Sequence, residues 1–301
     1  MSLPIDSEKT DLPANVETAR RYYDAAQAAN TRRAYGAGWR AFVEWRGSDA
    51  LPAAPAEIAS FVTGLAQQGY KVATIKARVA AIGAVHREFG EDDPTKHEAV
   101  RRVVKGIARE HGTRPNQARG LTERDVAKIE AVAPARDLAM LLVARDLLAR
   151  ASELVALDVA DVDFDESTVT IRRSKTDQEA EGTVSYIGPD ALDALRRMLA
   201  SENRGDGPLF TSRYGRRLHP NDVTRTFKRI AGKAGIEADR VSGHSARVGM
   251  AQDLAADGAS LVELQVAGRW KSAAMPARYC EKQTARRGAV ARYHDRHKGT
   301  Q

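Results

Sequence analysis

The sequence predicts a mainly helical chain with one small β-sheet, divided between an N-terminal helical bundle and a C-terminal α+β domain. Three observations predict it. Apolar residues recur at helical spacing through most of the chain, two β-branched alternating runs lie close together in the second half, and one stretch without periodicity separates the halves.

Residues 1–15 are polar and acidic, hold two prolines and lack an apolar core, so they read as a flexible tail, not a leader or an anchor. Residues 16–111 read as four or five short helices. Tyr35, Trp39, Phe42 and Val43 form one apolar stripe after a cap at Asn30 or Thr31. Ile58, Phe61, Val62 and Leu65 form a second stripe that should end at Gly69, and Ile75, Val79, Ile82 and Phe89 a third that should stop at Gly90. Residues 112–120 hold two glycines, a proline and two arginines and read as an exposed linker.

The second domain spans 121–301. Thr122 and Asp125 resemble a capping box, and Leu138 to Leu157 reads as one long apolar helical region. Residues 168–172 and 183–187 alternate as strands do and should form a hairpin with Lys175 near its tip. Helices resume over 221–235, 244–258 and 260–268, the last opened by Ser260 and Glu263, and a weak basic helix covers 281–297.

Charge and cysteine usage narrow the chemistry. Among 301 residues, Lys and Arg number 47 against 40 Asp and Glu, a net charge of +7 that suits a polyanionic partner. The single cysteine, Cys280, excludes an internal disulfide and a cysteine-rich zinc site, and a reducing, cytoplasmic setting is the default. No membrane-length apolar run and no phosphate-binding Gly-rich loop ending in Lys-Ser/Thr is present. Asp158, Asp161, Asp163, Asp165 and Glu166 could in principle hold a divalent cation, but they lie in a local loop signal and read as a solvated turn.

Metal-free phosphodiester cleavage needs charge neutralisation at the non-bridging oxygens, a nucleophile that loses a proton, and a leaving oxygen that gains one. Arg150 and Arg247 can supply bidentate, permanently charged clamps. His244, three residues before Arg247 and expected on the same helical face, can carry protons near neutrality. Lys175 can serve as general acid, Trp270 offers one indole N–H, and Tyr279 can attack phosphorus. Each of these has a plain structural alternative when taken alone, and Tyr293 competes as a second C-terminal tyrosine; only the ordered set carries weight.

Leu148-Ala149-Arg150-Ala151-Ser152-Glu153-Leu154, Arg173-Ser174-Lys175-Thr176, Ser242-Gly243-His244-Ser245-Ala246-Arg247-Val248-Gly249 and Ala267-Gly268-Arg269-Trp270, followed by Tyr279, occur in an order that resembles the tyrosine recombinase (phage integrase) family. The likeness is strongest to the Cre-type branch, which shares tryptophan where most relatives have histidine. The resemblance implies a SAM-like core-binding domain joined to a tyrosine-recombinase catalytic domain, gripping duplex DNA. It implies that Arg150 and Arg247 bind the scissile phosphate, His244 acts on the nucleophile's proton, Lys175 serves the leaving group, Tyr279 forms a 3′-phosphotyrosyl bond and Glu153 supports from behind. It further implies a homotetramer on two sites, with the last helix docking on a neighbouring copy, and no metal, cofactor, membrane or small-molecule substrate. Arg32, Arg33, Lys76 and Arg119 are the basic residues expected at DNA. A type IB topoisomerase and a catalytically silent DNA-binding protein of the same fold stay open.

Overall fold

The computed structural model describes residues 29–114, 117–172 and 182–298, together with Thr18 and Tyr22. It divides into two compact units, Met1–Asn116 and Gln117–Gln301. Among the described residues no helix is long and apolar enough to cross a membrane.

The first unit contains α1 (Ala29–Arg46), α2 (Pro55–Gln67), α3 (Val72–Glu88) and α4 (Glu98–His111). Phe42, Ile58, Phe61, Val62, Leu65, Ile75, Ile82 and Val100 are buried together, so the three apolar stripes meet in one core. The ring of Phe42 packs edge-on against Phe61 at 5.3 Å and near Trp39 at 5.7 Å. Gly38 lets α1 approach α3 closely, since a Cβ there would stand 2.7 Å from the Cβ of Ala81. Gly69 and Gly90 follow α2 and α3 with φ of +78° and +77°, a conformation that stops a helix cheaply only with glycine. The cap expected at Asn30 or Thr31 is displaced: α1 already includes both, and the Asn30 side-chain oxygen accepts from the Arg33 guanidinium.

The second unit opens differently from the composition reading. Gln117–Gly120 are not exposed but lie against their own unit, with the Arg119 N–H donating to the Arg240 carbonyl at 2.9 Å and Leu121 fully buried. Next come α5 (Glu123–Glu130), where the Thr122 N–H donates to Asp125 at 3.1 Å, and α6 (Ala135–Asp146) and α7 (Ala151–Ala156). The single helix expected over 138–157 is therefore broken. Leu148 takes φ +41° and Arg150 is extended at the start of α7. A tertiary partner replaces a missing helical bond, since the Leu148 carbonyl accepts from Arg247; the Asp146 side chain at the end of α6 accepts from the Gly188 N–H at 2.8 Å.

The sheet holds β1 (Val162–Asp163), β2 (Thr168–Ile171) and β3 (Thr183–Tyr186) in that order, all antiparallel. The β2–β3 pairing sets Thr168 opposite Tyr186 and Ile171 opposite Thr183. β1 is only two residues long, too short to leave a periodic signal. Lys175 lies outside the described residues. The acidic loop is committed elsewhere: Arg172 pairs with Asp161 at 2.5 Å and with Asp158 at 3.1 Å, Arg217 also pairs with Asp158, and Asp163 accepts from the N–H groups of Asp165 and Glu166.

The remaining helices are α8 (Pro189–Glu202), α9 (Pro220–Lys233), α10 (Ser245–Asp257), α11 (Leu261–Ala267), α12 (Ala274–Tyr279), α13 (Glu281–Arg286) and α14 (Ala289–Lys298). The expected helix over 281–297 is two helices, because the Arg287 side chain turns back to donate to the Ala256 carbonyl at 2.6 Å near the end of α10. The main core gathers Met140, Leu141, Val143, Val169, Ile171, Leu195, Phe210 and Phe227. A smaller cluster of Leu148, Ala251, Ala255, Leu264 and Cys280 has Trp270 and Tyr279 packed against it. That second cluster positions the site.

Candidate active site

The break between α6 and α7 presents Arg150. Its side chain is mostly enclosed, one end donating to the Glu153 carboxylate and the other to the Arg269 carbonyl at 3.4 Å. Glu153 is itself buried and accepts from the Arg150 backbone N–H at 3.0 Å and from the Arg269 guanidinium at 3.0 Å. Burial pushes the Glu153 carboxyl up, yet the Arg150 backbone and side-chain bonds and the Arg269 charge together hold it below the ordinary carboxylate range. It stays ionised and orients two guanidinium groups.

Arg247, in the first turn of α10, is only 2% exposed. Its two amino groups donate to the carbonyls of Leu148 and Gly268, and its guanidinium carbon lies 4.2 Å from the Trp270 ring centre. Burial, followed by the like charge of Arg150, pulls its pKa down to about 10, so the guanidinium remains cationic at neutral pH. Gly268 makes room for this stack: a Cβ there would collide with the Trp270 ring at 1.9 Å.

Tyr279 ends α12 and meets Trp270 edge-on, with ring centres 5.9 Å apart. Burial raises its phenol pKa, opposed by the positive charges of Arg247 and then Arg150. The backbone behind it is fixed, because the Tyr279 carbonyl accepts from the side chains of Gln252 at 3.1 Å and Gln117 at 3.4 Å. The following Cys280 is buried and donates from Sγ to the Ala251 carbonyl at 3.1 Å. By contrast Tyr293 sits on α14, is 54% exposed and stacks on His297.

His244 stands at the start of α10. The helix begins at Ser245, so His244 is its N-cap residue and is exposed, while Arg247 in the first turn is buried. The turn before it is tightened by the Ser242 N–H donating to Ser245 Oγ at 2.9 Å and the Gly243 N–H to Thr224 Oγ1 at 2.9 Å.

The structure therefore brings Arg150, Glu153, Arg247, Trp270 and Tyr279 together, with His244 at the start of the helix that carries Arg247. Arg269 is the residue that sequence reasoning missed. Its partners Ser185 and Glu153 are 84 and 116 positions away, and the only hint is its place between Gly268 and Trp270. Of the basic residues expected at DNA, Arg32 and Arg33 on α1 and Lys76 on α3 are exposed. Arg119 instead directs both amino groups to Asp125, at 3.1 and 2.9 Å. Among the described residues no group of three or more His, Cys, Asp or Glu side chains could hold a metal ion.

Comparison with known proteins adds the last observations. The chain is 30% identical to an integrase/recombinase XerD homolog of Selenomonas ruminantium over 87% of its own length and 84% of that protein. It is 24% identical to the Cre recombinase of Escherichia phage P1, covering 97% and 95% of the two chains. Its fold matches the Tn1549 transposon integrase, solved with transposon right end DNA, at a TM-score of 0.68, 14% identity and coverage of 87% and 92%. It also matches a lambda integrase dimer bound to a core site at 0.64, 20% identity and coverage of 88% and 75%. Residues 113–286, which include Arg150, Glu153, His244, Arg247, Trp270 and Tyr279, match the phage integrase family, and the chain belongs to that family.

Proposed function

We propose that this chain is a site-specific DNA recombinase that cuts and rejoins duplex DNA through a covalent bond to Tyr279. One observation carries the reading: Trp270 lies against both the buried Arg247 guanidinium and the half-buried Tyr279 ring, and Arg150 is held nearby by Glu153 and the Arg269 carbonyl, beside Trp270 in the chain. Arg150 and Arg247 neutralise the scissile phosphate, whose charge rises as a fifth oxygen adds. The Tyr279 oxygen forms a bond to phosphorus as the P–O5′ bond breaks. Because burial keeps the phenol protonated, its proton must leave during attack, and His244 at the start of α10 receives it. Lys175 returns a proton to the departing 5′ oxygen. The Trp270 indole adds a single donor for a phosphate oxygen.

The 3′-phosphotyrosine conserves the energy of the broken ester, so a second 5′ hydroxyl rejoins the strand without a nucleotide. The net charge of +7 and the exposed Arg32, Arg33 and Lys76 support duplex DNA as partner. Four copies on two sites would exchange two strands at a time through a Holliday junction, with α14, whose Val290 and Tyr293 are exposed, available to a neighbouring copy. Such an enzyme acts in the cytoplasm on plasmid or nucleoid DNA.

The test is to trap wild-type protein on cellular DNA and sequence what is covalently attached. A recurrent sequence joined through its 3′ end is the expected result, and Tyr279→Phe should bind the same duplex yet form no adduct. An adduct in that variant would move the nucleophile elsewhere, and uniform attachment to any sequence would favour a topoisomerase.

A further inference from the structure

We propose that Arg269 is a positioning residue for strand cleavage: it shares the Glu153 carboxylate with Arg150 and thereby fixes the Arg150 guanidinium at the phosphate. This rests on the recombinase reading above.

Among the described residues, the two oxygens of the Glu153 carboxylate meet three donors. One oxygen accepts from the Arg150 guanidinium, and the other accepts from both the Arg150 N–H and the Arg269 guanidinium, each at 3.0 Å. Arg269 thus shares one carboxylate oxygen with the Arg150 N–H, while the Arg150 guanidinium takes the other. Its own side chain is 9% exposed and Glu153 2%, so this is a buried pair in which removing one partner leaves the other desolvated and free to shift. The other amino group of Arg269 donates to Ser185 on β3 at 3.3 Å, and its carbonyl accepts from Arg150 at 3.4 Å. One residue therefore touches Arg150, its orienting acid and the sheet.

Two features set Arg269 apart from an ordinary salt-bridge residue. It adopts φ +53°, a left-handed conformation that costs an L-residue free energy and persists only where its surroundings impose it. Its Nε is buried without a hydrogen-bond partner among the described residues, although the two terminal nitrogens are both engaged. A side chain kept at the expense of a strained backbone and an unmet donor is held for where its terminal nitrogens point.

The experiment uses full-length protein and a nicked duplex bearing the sequence recovered in the covalent-adduct experiment. Arg269→Gly is the first variant, since glycine accepts the positive φ and the fold loses the side chain alone. Arg269→Lys, which keeps one donor to Glu153, is the second. Adduct formation should fall about 10²-fold in Arg269→Gly, the scale of a misplaced catalytic group, and less in Arg269→Lys, with duplex affinity unchanged.

Two readouts separate positioning from general damage. Combined with Arg150→Ala, the glycine variant should cost nothing further, because the group it positions is gone. On a duplex whose scissile phosphate is a methylphosphonate, which carries no charge for Arg150 to neutralise, Arg269→Gly and the parent should react at equal rates. Additive losses in the double variant, or an equal deficit on both duplexes, would overturn the proposal. A parent protein that forms no adduct would instead sink the recombinase reading itself.

Discussion

The Arg247 guanidinium lies 4.2 Å from the ring centre of Trp270 while both its amino groups donate to backbone carbonyls. Trp270 is thus the floor under a buried cation and, at 5.9 Å, the neighbour of the Tyr279 ring. Trp270→Phe keeps an aromatic face for both and should retain most adduct formation. Trp270→Ala removes it and should lower stability by about 2–4 kcal/mol, through lost packing and lost cation–π attraction. The urea midpoint and adduct yield of the two variants check this; equal behaviour would show that the ring acts only through its N–H.

Gly249 on α10 lies against the backbone of Leu121, and a Cβ there would stand 1.9 Å from the Leu121 carbonyl oxygen. Backbone cannot move aside cheaply, so Gly249→Ala should destabilise by more than about 3 kcal/mol. Gly106 on α4 has nothing within 4 Å of an added Cβ. There the same substitution should stabilise by about 0.5–1 kcal/mol through helix propensity. Thermal melts of the two variants, shifting in opposite directions, are the expected result.

Arg145 is 4% exposed and bonds the Leu121 carbonyl, Glu123 at 3.0 Å and Asp253 at 2.9 Å. Arg145→Ala strands a buried carbonyl and a carboxylate and should cost about 3 kcal/mol. Glu123 is 77% exposed, so Glu123→Ala should change stability by less than about 1 kcal/mol. Denaturant titration of both distinguishes the pair members.

Burial pushes the Cys280 thiol up from 9.0 to about 11. A raised value means that the native state holds the proton longer than the unfolded chain does. That contribution to stability is intact below pH 9 and is lost as the pH rises through about 11. Cys280→Ala should therefore show a shallower alkaline decline than the parent, and native Cys280 should resist iodoacetamide until the protein unfolds. Rapid alkylation of folded protein at neutral pH would contradict the burial.

Much of the fold was legible because its signals are local. The stripes at Ile58 and Ile75, the glycines that end their helices, and the alternation around Val169 and Val184 all depend on neighbours a few residues away. The break at Leu148 was not legible, because an apolar run reads as helix while the partner of its freed carbonyl, Arg247, lies 99 residues on. The ordered set from Arg150 to Tyr279 could be read as a motif. Arg269 could not, since nothing in its neighbourhood shows that it is buried beside Glu153.

The carbonyl of Tyr279 is gripped by Gln252, and the next residue's thiol by Ala251, both on α10, the helix that begins with Arg247 in its first turn. Blade and anvil are thus forged on one support, and each copy should sever DNA with its own tools. Mixing Tyr279→Phe protein with an Arg247→Ala protein should then leave every strand uncut, since neither copy can lend the other what it lacks.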